Sequence, residues 1–208
     1  MIKAIFLDMG GVIVDLDINI CIETFKKNVG CDRIAEFLDP CIQRGFIKLM
    51  EEGAIDARQF CEECRKYCNP GTTDEEIEYC LSELLRSIDP GKAGYIRELS
   101  ARYPLYMLSN NNPITWKRSR ELFEGAGIPV EKIFRGCYVS YEMKLLKPGR
   151  EIFEEAVRRT GIPANEILFL DDSQTNVNGA AAAGLNAVLF NQGEDLKTAI
   201  ETALRKFN

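Results

Sequence analysis

Among its 208 residues the chain has no histidine. That absence removes the commonest general base and every Ser–His or Cys–His nucleophile, so such chemistry falls to carboxylates, lysine, tyrosine or thiols. Basic charge is also short: 26 Lys and Arg face 32 Asp and Glu, for a formal net charge of −6. No Lys/Arg cluster stands out, and a nucleic-acid partner would need a basic face, so none is expected. No apolar run reaches membrane-spanning length, and no membrane partner is expected. The N-terminus runs straight into an apolar strand, without the basic–apolar–small order of a secretory signal, so a cytoplasmic protein is expected. The eight cysteines then read as reduced thiols. Cys61, Cys64 and Cys68 share one helical face beside Phe60 and Tyr67. With no histidine and no second CxxC to complete a tetrahedral site, they read as packing and not as a structural zinc site.

What is present is concentrated at the start. The segment IKAIFLDMGGVIVD from Ile2 to Asp15 is an apolar run ending in Asp8, followed by Met9, Gly10 and Gly11. It reads as a buried parallel strand delivering a carboxylate into a Gly-rich turn. Ligand sites of open α/β sheets gather at the carboxyl ends of strands, which puts Asp8 where chemistry is done.

From about Asp17 to Ser87 the chain shows helical patterns and no convincing strand. The patterns lie near Ile18–Asn28, Asp32–Leu38, Ile42–Glu51, Ala57–Tyr67 and Asp74–Arg86, with breaks at Gly53, Asn69-Pro70-Gly71 and Asp89-Pro90-Gly91. Thr73 and Glu76 form a capping-box pattern. From Pro90 onward helices and strands alternate. Strands are predicted at Leu105–Leu108, Ile133–Cys137, Ile167–Leu170 and Ala187–Phe190, and helices at Lys92–Arg102, Thr115–Ala126, Gly149–Thr160, Gln174–Ala183 and Asp195–Lys206. That alternation predicts a doubly wound parallel α/β sheet formed by residues 1–16 and 90–208, with an all-α insertion over 17–89.

The strand ends supply a coherent set of groups: Asp8; Ser109-Asn110; Lys147 before Pro148; and Asp171-Asp172, with Asn176 beyond them. A nucleophilic carboxylate, hydroxyl and amide donors, an ammonium and an acidic pair are what phosphoryl transfer needs. The acidic pair suits a hard divalent cation. Taken in order, these motifs resemble the haloacid dehalogenase (HAD) superfamily over nearly the whole chain. The resemblance implies Asp8 as nucleophile, Ser109 and Asn110 as phosphate binders, and Lys147 as both phosphate binder and catalytic charge. It implies Mg²⁺ held by Asp8, the Gly10 carbonyl and Asp172, with Asp171 in support. It also implies a C1-type cap over residues 17–89. By family analogy the strands run from the segment near 190 to that near 170, then the first strand, then those near 108 and 135.

One position departs from the pattern. Phosphatases of the superfamily usually carry a second aspartate two residues after the nucleophile, as general acid and base; here it is Gly10. DMGGVIVDLD is similar to the subgroup holding sugar-1-phosphate phosphatases and the N-terminal phosphatase domains of some epoxide hydrolases. An anomeric leaving group needs little protonation, which suits the missing acid, and Asp15 and Asp17 are nearby carboxylates that read more readily as flap and hinge residues. The favoured expectation is a Mg²⁺-dependent phosphatase acting on a small phosphorylated molecule through an aspartyl-phosphate, as a monomer or weak homodimer. Two alternatives stay open: a 2-haloacid dehalogenase, with Arg44 as a loose candidate for a substrate carboxylate, and a degenerate binding protein. A phosphonate hydrolase would need a cap lysine, and Lys26, Lys27, Lys48 and Lys66 read as surface charges. Arg44, Phe46 and Glu52 are the cap candidates for substrate selection.

Overall fold

The computed structural model describes residues 1–38, 44–191 and 193–208. Five parallel strands form its sheet in the order β3-β2-β1-β4-β5, the order the family resemblance implied. They are β1 (Ala4–Leu7), β2 (Leu105–Ser109), β3 (Phe134–Val139), β4 (Ile167–Asp171) and β5 (Asn186–Leu189). Every residue of β1 is buried, as a central strand covered on both faces requires. Its side chains alternate between two cores. Ile5 and Leu7 join Leu105, Met107, Leu168 and Leu170 on one face, while Ala4 and Phe6 join Leu108, Ile167 and Phe169 on the other. The first face is covered by α5 (Pro90–Ser100), α6 (Pro113–Gly125) and α11 (Leu196–Phe207). The second is covered by α9 (Arg150–Thr160) and α10 (Gln174–Ala182).

Between β1 and β2 lie α1 (Ile18–Thr24), α2 (Gly45–Glu51), α3 (Ala57–Arg65) and α4 (Asp74–Ser82). They enclose a separate apolar core that includes Phe25, Phe46, Ile47, Met50, Phe60, Ile77 and Leu81. The capping box predicted at Thr73 is present: Glu76 N–H donates to Thr73 Oγ1 at 3.3 Å and Thr73 N–H to Glu76 Oε2 at 2.8 Å.

Several elements depart from the sequence expectation. The helix expected over Ile18–Asn28 turns π-helical at Phe25–Val29 and stops at left-handed Gly30 (φ 67°). Asp32–Glu36 is a 3-10 turn. Of the pattern at Ile42–Glu51, Ile42 lies outside the described residues. The helix expected to reach Arg86 ends at Ser82, because the chain beyond it is recruited into backbone pairing. Asp15 N–H donates to Ser87 O, Arg86 N–H to Asp15 O and Asp17 N–H to Leu84 O, at 2.8, 2.9 and 3.0 Å, around an antiparallel bridge between Leu16 and Leu85. Tertiary pairing here satisfies groups that a local helix would have satisfied internally. Two short helices were not foreseen, α7 (Val130–Ile133) and α8 (Ser140–Met143). Cys64 and Cys68 gather with Cys31, their sulfurs within 4.8 Å of one another, while Cys61 is buried apart from them in the same core. No described helix is long and apolar enough to cross a membrane.

The C-terminal end of α2 rests on α8. Gly53, just past α2, is left-handed (φ 66°), and a Cβ there would collide with the Tyr141 carbonyl. Gly53→Ala therefore meets both a strained backbone and a displaced neighbour, and should lower stability by about 1–3 kcal/mol, read as a lower urea midpoint.

Candidate active site

The tip of β1 brings the predicted residues together. Asp8 follows β1, hydrogen-bonded through its N–H to the Leu170 carbonyl of β4 at 2.9 Å, and its own Oδ1 accepts from Met9 N–H at 2.7 Å. Lys147 reaches in beneath it with a fully buried side chain. The Nζ lies 3.0 Å from Asp8 Oδ1 and 2.6 Å from Asp171 Oδ2, and donates to the Leu108 carbonyl at 3.0 Å. All three partners are oxygens at strand ends, so the ammonium's hydrogen-bonding capacity is filled.

Asp171 and Asp172 have different surroundings. Asp171 is fully buried, with Oδ2 on Lys147 and Oδ1 accepting from Ser173 N–H at 2.8 Å and Asn176 Nδ2 at 3.0 Å. Asp172 is exposed to the cleft. Carboxylate oxygens of Asp8, Asp171 and Asp172 lie within 4.8 Å of one another, an all-oxygen donor set of the kind a hard divalent cation prefers. With both Asp171 oxygens already engaged, Asp172 is the better placed of the pair to hold a cation. Gly11 is left-handed (φ 72°), and a Cβ on it would collide with the Asp172 carboxylate, so only glycine lets the first loop approach this acid.

Ser109 is buried at the end of β2. The Asn110 side chain clamps the Lys147 backbone: Nδ2 donates to Lys147 O and Oδ1 accepts from Lys147 N–H, both at 2.9 Å. Asn111, which sequence reasoning passed over, is buried and ties the site together. Its Nδ2 meets Met9 Sδ at 3.4 Å, while Oδ1 accepts from Asn112 N–H at 2.8 Å and Thr115 Oγ1 at 2.6 Å.

Above these groups opens a cleft of about 440 Å³, lined from the helical insertion by Lys48, Glu51, Glu52, Leu84 and Leu85. Of the cap candidates, Glu52 lines the cleft, where it pairs with Lys48. Phe46 belongs to the insertion's own core, and Arg44 precedes α2 and is not among the lining residues. Asp17 caps α1 by accepting from Ile20 N–H at 3.0 Å. Asp15 pairs with Lys92 at 2.9 Å. Both sit where the helical insertion pairs back onto the chain leaving β1, and neither lines the cleft. Gly10 does line it and has no left-handed backbone; a Cβ there would meet the tip of Leu16 at 3.0 Å. A side chain is thus sterically admissible where the chain carries none.

Glu51 was not singled out in the sequence, where it is one of two glutamates closing a helix. Burial pushes its carboxyl up to about 8, against the opposing pull of Lys147. Burial likewise pushes Asp8 up to about 7, with Lys147 pulling the other way and Asp171 and Asp172 adding to the rise. Lys147 is held above its ordinary range: burial opposes its charge, but Asp171 and Asp8 prevail.

Residues 2–184 match the haloacid dehalogenase-like hydrolase family. The chain belongs to that family. It is 31% identical over 206 residues, 98% of this chain and 99% of the relative, to the D-ribitol-5-phosphate phosphatase of Bacteroides thetaiotaomicron. A HAD family enzyme from the same organism, solved with magnesium and inorganic phosphate, superposes with a TM-score of 0.87 at 34% identity, covering 94% of this chain and 97% of that one. A HAD-like hydrolase from Porphyromonas gingivalis gives a TM-score of 0.87 at 31% identity, covering 99% and 98%. A shorter match, 27% over 95 residues, joins 45% of this chain to 38% of (S)-2-haloacid dehalogenase 4A of Burkholderia cepacia.

Two expectations follow from the buried charges. Lys147→Met leaves Asp8 and Asp171 facing each other without a cation, and should cost about 3–5 kcal/mol in denaturant unfolding. Asp8, with its pKa raised from an ordinary 3.8 to about 7, is the reverse of the usual stabilising carboxylate. The folded state binds its proton more tightly than the unfolded state, so stability falls as pH rises through that window. In chelator, Asp8→Asn should abolish this contribution, gaining stability over wild type as pH goes from about 4 to 7 and converging with it at acid pH.

Proposed function

We propose that this chain is a Mg²⁺-dependent phosphatase that cleaves a small polyhydroxylated phosphate monoester through an aspartyl-phosphate on Asp8. The observation that carries the reading is the Asp8 carboxylate held at a strand tip by a buried ammonium, with a cation-competent acidic pair beside it. Asp8 attacks phosphorus. Lys147 offsets the negative charge that gathers when phosphate approaches a carboxylate. Ser109 donates to a phosphoryl oxygen, and Asn110, by clamping the Lys147 backbone, sets where the ammonium sits. Asp8, the Gly10 carbonyl and Asp172 would hold Mg²⁺, with Asp171 orienting Lys147 beside them. When bound, the cation neutralises phosphate charge and draws the phosphoryl group towards the nucleophile.

Residues 17–89 act as a cap, hinged through the paired segments 15–17 and 84–87, and select the organic part of the substrate. The cleft's polar rim of Lys48, Glu51 and Glu52 suits hydroxyl groups better than apolar ones. The polyol phosphate named for the Bacteroides relative carries its phosphate on a primary carbon and has no anomeric centre. That supports ranking sugar and polyol phosphates with alkoxide leaving groups ahead of anomeric phosphates as substrates. The dehalogenase alternative has a partial sequence match behind it, and it leaves the Asp172 carboxylate without a purpose.

A screen of phosphorylated metabolites with and without Mg²⁺ tests the reading, and turnover should appear only with the metal. Asp8→Asn should abolish turnover while the fold survives, since an amide of the same shape is a poor nucleophile. Asp172→Ala should weaken Mg²⁺ binding at least tenfold by calorimetry, an estimate of roughly one ligand's share. Full activity in excess chelator, or halide release from a haloacid without phosphatase activity, would overturn the assignment.

A further inference from the structure

The leaving group of an alkyl phosphate departs as a basic alkoxide, and a positioned acid there is worth roughly 10²–10⁴-fold in rate. Position 10, where the family pattern places that acid, is glycine, and Asp15 and Asp17 are committed to the hinge. The remaining carboxylates that line the cleft are Asp172, assigned above to the cation, and Glu51 and Glu52 from the cap. Glu52 is paired with Lys48. Among the described residues no hydrogen bond or ion pair engages the Glu51 carboxyl. Its backbone, in contrast, is anchored to the catalytic core. Buried Ser140 Oγ donates to the Glu51 carbonyl at 2.7 Å and accepts from Asn111 N–H at 2.9 Å, and Asn111 in turn contacts Met9 beside the nucleophile. Left-handed Gly53, packed on Tyr141, fixes the same helix end.

We infer that Glu51, carried by the cap and pinned to the core through Ser140, is the general acid that protonates the leaving oxygen. The inference rests on the phosphatase reading above. As Asp8 Oδ bonds to phosphorus and the bond from phosphorus to the alkyl oxygen breaks, the Glu51 proton passes to that oxygen and the alcohol leaves. Glu51, now a carboxylate, takes a proton from the water that attacks the aspartyl-phosphate. Inorganic phosphate departs, and both carboxyl groups return to their starting states. The charged groups acting on Glu51 are Lys147 and Asp8 from the core and Glu52 and Lys48 from its own helix end. Enclosure among them favours its neutral form, as a proton donor requires. Delivering the acid from the cap also couples chemistry to closure, because the donor is in place only when α2 sits on α8.

The test is a leaving-group comparison on the full-length Mg²⁺-loaded protein. Wild type and Glu51→Gln are assayed for kcat/KM on D-ribitol 5-phosphate, or the alkyl phosphate turned over fastest in the metabolite screen, and on p-nitrophenyl phosphate, whose leaving group departs without a proton. The variant should lose about 10²–10⁴-fold on the alkyl phosphate and less than about tenfold on p-nitrophenyl phosphate. Phosphoenzyme should accumulate on the second substrate, because water has lost its base. Glu51→Asp should recover part of the alkyl activity, and Mg²⁺ affinity should be unchanged in both variants. Equal losses on the two substrates, or no loss on either, would overturn the assignment of Glu51. Failure of wild type on both substrates would instead overturn the phosphatase reading beneath it.

Discussion

The site is organised around one ammonium. Lys147 Nζ lies against Asp8, Asp171 and the Leu108 carbonyl, so a single buried cation ties together the ends of β1, β2 and β4. Its removal from water is tolerable because two carboxylates and a carbonyl replace the lost solvation. The arrangement also divides the acidic residues by role. Asp171 spends both oxygens on Lys147 and the start of the following helix, while Asp172 faces the cleft. Two adjacent aspartates in sequence thus become a structural anchor and a candidate cation ligand.

The helical insertion extends this logic. It has its own apolar core, joins the sheet through the pairing of Leu16 with Leu85, and touches it again where Ser140 at the start of α8 meets Glu51. The core thereby supplies groups suited to any phosphoryl substrate, and the insertion supplies Lys48, Glu51 and Glu52 above them. On the proposed function, such a division lets one nucleophile serve different organic groups by changes confined to the insertion. It also accounts for the glycine at position 10: a cap-borne acid makes a carboxylate in the first loop dispensable.

Much of this was legible in the amino-acid sequence, for local reasons. Buried parallel strands are near-continuous apolar runs, so β1 and β4 announced themselves, and each ended in the carboxylates that matter. The order of Asp8, Ser109, Lys147 and Asp171-Asp172 carried the family. Helix length in the insertion was less legible. The stretch after Ser82 has helical composition but pairs with residues 15–17, a partner distant in the chain.

What the sequence by itself determined was the parallel sheet and the set of groups at its strand ends, because periodicity and motif spacing are written along the chain; the strand order followed from the family resemblance those motifs carry. The family resemblance set Asp172 ahead of Asp171 as cation ligand, and the tertiary structure supplied the physical reason: distant partners engage both Asp171 oxygens and leave Asp172 facing the cleft. Only the tertiary structure showed the Asn110 side chain clamping the Lys147 backbone, and it alone put Phe46 in the insertion's own core. Glu51 is the clearest case. Nothing separates it from Glu52 along the chain. One helical step decides that Glu52 meets Lys48 while Glu51, its carbonyl held by Ser140, shares the cleft with Asp8, because a rotation of about 100° per residue sends adjacent side chains to different surroundings.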